Sequence, residues 1–162
     1  MATANQEIGK RVWYSADTGY IALDLTGRIP REESRTVKGT ALSPKGNEYH
    51  CSLIAIRRYI SDDPDNEQVV ADTVKGYLQE HDLRFDGLGV ERYLCRKEDR
   101  VTLVAPVLIA GIDDFTDLIG TLISNYQRPF LHVTLLKNET TEHGISINSA
   151  DDLGRYCEKL AY

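Results

Sequence analysis

Apolar residues in this chain recur with two periods, and glycine, proline and charged residues mark the breaks between them. Gly19-Tyr20-Ile21-Ala22-Leu23-Asp24-Leu25 alternates and ends at a Thr26-Gly27 turn, which predicts a strand. Tyr49-His50-Cys51-Ser52-Leu53-Ile54-Ala55-Ile56 and Phe130-Leu131-His132-Val133-Thr134-Leu135-Leu136 are short apolar runs rich in β-formers, and predict two buried strands. Residues 83–90 read as a glycine-interrupted strand. Residues 92–95 and 101–105 flank the charged turn Lys97-Glu98-Asp99-Arg100 and read as a hairpin. Gly144-Ile145-Ser146-Ile147 predicts one more short strand, and Val12-Trp13-Tyr14 either packs on the domain or forms an edge strand.

The helical period appears three times. After the start signal Ser61-Asp62-Asp63-Pro64-Asp65, residues 66–80 place Val69, Val70, Val74, Tyr77 and Leu78 along one face. A second helix, with Asp113 as its expected cap, carries Phe115, Leu118, Ile119, Leu122, Ile123 and Tyr126. Ser149 followed by Asp152 resembles a capping box for a last helix bearing Leu153, Tyr156, Cys157 and Leu160. Residues 26–47 are rich in Gly, Pro, Arg and Glu and lack a period. They read as a long loop holding at most a short helix or hairpin, and loops of that length tend to be functional or mobile. Each half of the chain thus sets a His-bearing strand beside a strand–helix–strand run. The expected fold class is α+β, with antiparallel sheets flanked by helices, and residues 1–162 form one bilobal unit without a linker.

Composition narrows the partners. With 41% apolar and 27% charged residues the chain has the make-up of a globular domain. Its 25 acidic against 19 basic residues, a net charge of −6, argue against a groove gripping a long nucleic acid, while small charged ligands remain open. The three cysteines, Cys51, Cys95 and Cys157, have neither metal nor redox spacing. Their odd count does not suit a disulfide framework, so a reducing, cytoplasmic setting is expected. No run of about 18 apolar residues is present, so no membrane partner is expected, and neither is a cofactor. A monomer is anticipated.

The candidate chemistry lies in the two polar interruptions of the apolar strands. Successive side chains on a strand point to opposite faces, so His50 emerges beside Ser52 and His132 beside Thr134. An unpaired buried polar group costs about 1–3 kcal/mol, so four such residues in the same frame call for a shared role. Two imidazoles can divide acid–base work near neutral pH, and two hydroxyls can hold the non-bridging oxygens of a phosphate. Two His with two neutral hydroxyls is a poor metal ligand set, so no metal is expected. Neither Ser52 nor Thr134 sits on a glycine elbow, which argues against a serine hydrolase.

His50-Cys51-Ser52-Leu53 and His132-Val133-Thr134-Leu135 resemble the paired His-x-Ser/Thr-hydrophobic motifs of the two-histidine phosphoesterase superfamily, which includes the bacterial 2'-5' RNA ligase-like proteins and cyclic phosphodiesterases. The resemblance in order and spacing extends over residues 20–138, from the opening strand through the second motif, with a proline just ahead of it. It implies two pseudo-symmetric lobes whose motifs face one another across a central cleft. It also implies hydrolysis of a 2',3'-cyclic phosphate or a similar small nucleotide or RNA-end phosphodiester, with His50 and His132 as the acid–base pair and Ser52 and Thr134 as phosphate holders. A non-catalytic module binding nucleotides or RNA ends, and a nuclease of cyclic oligonucleotide signals, are the alternative readings. The family usually places a long helix before its first motif, where this chain has its Gly/Pro-rich segment of residues 26–47.

Further contacts to substrate are expected from Tyr20, Tyr49 and Tyr126, which could stack on a base as Trp13 could, and from Arg128 as a phosphate contact. Singly, each has an ordinary role in packing or solvation. Cys51 and Val133 point away from the pair by strand parity, as does Lys137 unless a bulge intervenes. His81 and His143 lack the following hydroxyl and are set aside.

Overall fold

The first third of the chain builds a sheet by pairing neighbours. In a computed structural model, which describes residues 5–44, 46, 48–60, 63–141 and 144–161, β1 (Asn5–Gly9) and β2 (Val12–Ser15) form a hairpin that continues into β3 (Tyr20–Asp24). The segment of residues 26–47, read as a loop holding at most a short helix or hairpin, contains a short hairpin, β4 (Arg35–Val37) and β5 (Thr40–Leu42). The first motif strand, β6 (His50–Ala55), then returns to pair antiparallel with β3, giving the order β1-β2-β3-β6. Alternation explains the burial. Val12, Tyr14, Ile21, Leu23, Cys51 and Ile54 turn to the core, while Tyr20, Ala22, Asp24 and Ser52 are half-buried and Trp13 and His50 exposed.

Helix α1 (Pro64–Leu78) starts where the sequence signal puts it: Asp63 caps it by accepting the Asn66 N–H, and Pro64 opens the first turn. The start signal's Ser61 and Asp62 lie outside the described residues. The buried face carries Glu67, Val70, Ala71, Val74 and Leu78, whereas Val69, expected on it, is 57% exposed. Glu67 takes that place because its carboxylate is met from two sides. Arg57 Nε donates to it at 2.7 Å and the Tyr14 hydroxyl donates to it as well. Arg57 also reaches the carbonyls of Ala16 and Asp17, tying helix to sheet.

The second sheet is organised by one long strand. After β7 (Arg84–Leu88) and β8 (Tyr93–Lys97), β9 (Arg100–Ala110) runs past the end expected for it and pairs first with β8, then with β7. Pro106 lies inside β9, where its carbonyl takes the Gly89 N–H. Helix α2 (Ile112–Leu122) comes next. Its cap is Gly111, not Asp113, which lies in the first turn. Gly111 has φ 88°, and a Cβ there would stand 3.0 Å from the Asp82 carbonyl, so only glycine fits the corner. The second motif strand, β10 (His132–Lys137), lies on the other side of β9. Helix α3 (Ala150–Tyr156) begins at Ser149, which accepts the Asp152 N–H as expected, but it stops at Tyr156. Cys157 belongs instead to β11 (Cys157–Lys159), which pairs with β8 and gives the order β10-β9-β8-β11.

Two further sequence-based expectations fail. Residues 144–147 form no strand, although Ile145 and Ile147 are buried. Cys95 and Cys157 stand opposite each other across β8 and β11 and are joined as a disulfide, leaving Cys51 as the one free thiol, buried. The cysteine count therefore no longer argues for a reducing compartment. The fold is mixed α/β, with antiparallel sheets and, among the described residues, three α-helices. One core runs from the inner face of the first sheet past α1 and α2 to β9 and β10, with Phe115 wholly enclosed. A smaller cluster of Cys95, Val104, Ile145 and Ile147 lies on the opposite face of the second sheet, against Leu153 of α3. Among the described residues, no helix is long and apolar enough to cross a membrane.

Candidate active site

Both motifs fold the same way. In β6, Ser52 pairs with Ala22 and Ile54 with Ile21, so Leu53 is an extra residue. In β10, Thr134 pairs with Val104 and Leu136 with Leu103, so Leu135 is the extra residue. Each His-x-Ser/Thr-Leu motif therefore carries a β-bulge at its leucine, directly after the hydroxyl residue. The histidine and the hydroxyl share one face by ordinary alternation, and the bulge lets two successive apolar residues, Leu53 with Ile54 and Leu135 with Leu136, both reach the core. It also changes the parity of the residues beyond it: Lys137 pairs with Thr102, which lies on the Val104 and Thr134 side of β9. Lys137 thus shares the face of Thr134, and its Nζ donates to the Thr141 carbonyl at 2.6 Å.

The two motif strands touch. Beyond β9, β10 meets the first half of the chain at two points. The backbone of His132 is hydrogen-bonded to the Cys51 sulfur, and Lys137 and Ser43 exchange backbone hydrogen bonds of 2.9 and 2.8 Å. The segment of residues 26–47 is thereby docked on the second motif strand. On the hydroxyl side, residues 144–146 reach both halves. A Cβ at Gly144 would stand 3.1 Å from Thr134 Oγ1, and Ser146 Oγ shares a 3.0 Å hydrogen bond with the Tyr20 hydroxyl. Tyr20 projects from the same face of the first sheet as Ser52 and His50, since its partner Ala55 lies past Ser52 beyond the bulge.

His132 is held in place. Its Nδ1–H donates to the Phe130 carbonyl at 2.7 Å, which makes Nε2 the acceptor nitrogen of the neutral ring. The Phe130 ring stacks on it at 5.6 Å, with Tyr93 edge-on behind. Thr134 is 7% exposed. Cys51, between His50 and Ser52, faces the core, where burial pushes its thiol up to about 12. It has no part in nucleophilic chemistry.

Three of the residues expected to contact substrate lie elsewhere. Tyr49 packs in the core at 4% exposure, with its hydroxyl enclosed and unpartnered, so its ring offers no surface for stacking. Tyr126 packs on Tyr59, centroids 5.7 Å apart, and burial raises its hydroxyl to about 12. Tyr59 lies past the far end of β6 from His50, and its hydroxyl donates to the Gln127 carbonyl. Arg128 beside them pairs with Asp113 at 2.6 Å. His81 stacks on Tyr77, and His143 lies outside the described residues. The placing of the 144–146 segment beside Thr134 escaped sequence reasoning, and the bulge that turns Lys137 was left open by it. Among the described residues, no three His, Cys, Asp or Glu side chains are grouped so as to hold a metal ion.

No protein-family model matches the chain, and neither a curated protein nor a solved structure matches it.

Proposed function

We propose that the protein is a phosphodiesterase of the two-histidine kind, acting on a 2',3'-cyclic phosphate or a comparable small nucleotide or RNA-end phosphodiester. The observation that carries this reading is the repetition of one bulged His-x-hydroxyl strand in each half, on two strands that touch at Cys51 and His132. Residues 144–146 add support, because they contact Thr134 on one side and Tyr20 on the other. In this reading the four side chains border one cleft between two lobes.

The chemistry derives from the residue types. His132, oriented through Nδ1 by the Phe130 carbonyl, takes a proton on Nε2 from the attacking water. The water oxygen bonds to phosphorus as the bond to one ribose oxygen breaks, and His50 gives that oxygen its proton. Ser52 and Thr134 donate hydrogen bonds to the non-bridging oxygens, whose charge grows in the transition state. Every step uses only this chain's residues and water.

The test is incubation with 2',3'-cyclic nucleotides, ADP-ribose cyclic phosphate, cyclic dinucleotides and 2'-5' oligoadenylate, with and without EDTA. Turnover of at least one of them is expected, indifferent to EDTA. His50→Ala and His132→Ala should each lower it by about a thousandfold. Full activity in either variant would overturn the reading. Binding without turnover in the wild type would leave a capture module instead.

A further inference from the structure

The outer face of the first sheet is only partly covered, with Ser146 reaching it at Tyr20, and an exposed tryptophan stands on it. Cross-strand pairing puts four residues in a single row on that face: Glu7 of β1, Trp13 of β2, Ala22 of β3 and Ser52 of β6. Directly paired residues project to the same side of a sheet, and burial agrees, since Val12 and Tyr14 on either side of Trp13 turn inward. Trp13 is 38% exposed. The indole is thus reachable from solvent on the face that carries Ser52 and His50. Between Trp13 and Ser52 the row holds only the methyl group of Ala22, so the face dips there. At about 4.8 Å per strand, indole and hydroxyl stand on backbones roughly 10 Å apart, within the reach of a nucleotide from base to phosphate.

We propose that this row is a nucleobase subsite: the Trp13 indole stacks on the base of the nucleotide whose phosphate Ser52 and His50 hold. The inference rests on the phosphoesterase reading of those two residues. Two neighbours decide between a base and a second phosphate as the occupant. The Glu7 carboxylate, opposite Trp13 on its outer side, repels an anion and accepts hydrogen bonds from the amino group of guanine, adenine or cytosine. Tyr20, on the same face and anchored by Ser146, borders the row on β3. Stacking of this kind tolerates any base, and Glu7 biases the site toward bases with a donor edge.

Trp13 is the one tryptophan in the chain, so its fluorescence reports the subsite directly. Titration of the wild-type protein with guanosine 3'-monophosphate is expected to change the emission saturably, while inorganic phosphate and ribose 5-phosphate leave it unaltered. No change with the nucleotide, or an equal change with inorganic phosphate, would overturn the subsite. In turnover of guanosine 2',3'-cyclic phosphate, Trp13→Ala should raise KM about tenfold or more with kcat within about twofold, and Trp13→Phe should keep most of the affinity. An unchanged KM in Trp13→Ala would sink the proposal. Should Trp13→Ala fail to fold, the wild-type titration and Trp13→Phe decide. A saturable emission change in a protein that turns over nothing would leave the subsite standing and remove the catalytic reading.

Discussion

Cys51 sits between His50 and Ser52 and faces the other way, and its surroundings set a pH dependence of their own. Burial lifts its thiol from 9.0 to about 12. Burial lifts Tyr14 from 10.0 to about 12, reinforced by the Glu67 carboxylate that its hydroxyl bonds. A group that keeps its proton longer when folded stabilises the fold fully below its unfolded pKa, and loses that contribution as pH rises through the folded value. Stability should therefore decline from pH 9 toward 12, measured as the urea midpoint, with a shallower decline in Cys51→Ala. A flat profile over that window would show that neither group is sealed from water. Glu67 acts at the acid end with the opposite sign. Burial raises its carboxyl, the hydrogen bonds from Arg57 and Tyr14 outweigh burial, and the net shift is below 4.5. Its contribution is present above that value and is lost as pH falls through the folded one.

At the level of elements, the bulge is what makes a His-x-Ser/Thr-Leu strand useful. A regular strand already turns the histidine and the hydroxyl, two residues apart, to one face and the leucine to the other; the bulge lets the next apolar residue, Ile54 or Leu136, face the core as well. The 144–146 segment works by closeness instead. Gly144 lies so near Thr134 Oγ1 that an added methyl group forces one of them to shift by a few tenths of an ångström. Gly144→Ala is thus expected to displace the hydroxyl proposed to hold the phosphate, lowering kcat/KM by about tenfold. Thermal stability should change little, since the contact is a single one at the edge of the core. Unaltered kinetics in that variant would mean that Thr134 has no fixed part in binding.

For the molecule as a whole, the Cys95–Cys157 bridge fastens the C-terminal strand, and with it α3 and the segment leading to Thr134, onto the second sheet. The bridge spans a sequence separation of 62, and closing a loop of that size stabilises a fold by about 4 kcal/mol in the chain-entropy limit. Reductant, or Cys157→Ser, should lower the Tm by several degrees. An identical Tm with and without reductant would show that the bridge contributes nothing in solution.

How much of this was legible in the letters varies with the range of the interaction that decides it. Local periodicity and capping chemistry were enough for the motif strands, α1 with its start signal around residues 61–65, the start of α3 at Ser149, and the hairpin around residues 97–100. The same patterns picked out the His-x-Ser and His-x-Thr frames, because strand parity needs only neighbouring residues. Capping of α2 by Gly111 was hidden because a positive φ leaves no mark beyond the glycine itself. The disulfide, the inward turn of Tyr49, the pairing of Tyr126 with Tyr59, and the meeting of Cys51 with His132 all join residues far apart in sequence. Each depends on register and on how two sheets pack, and those are settled by the burial of the whole apolar surface at once. Sequence alone determined which side chains carry the candidate chemistry; only the tertiary structure decided which of them meet, because proximity across a fold is a property of packing and not of spacing along the chain.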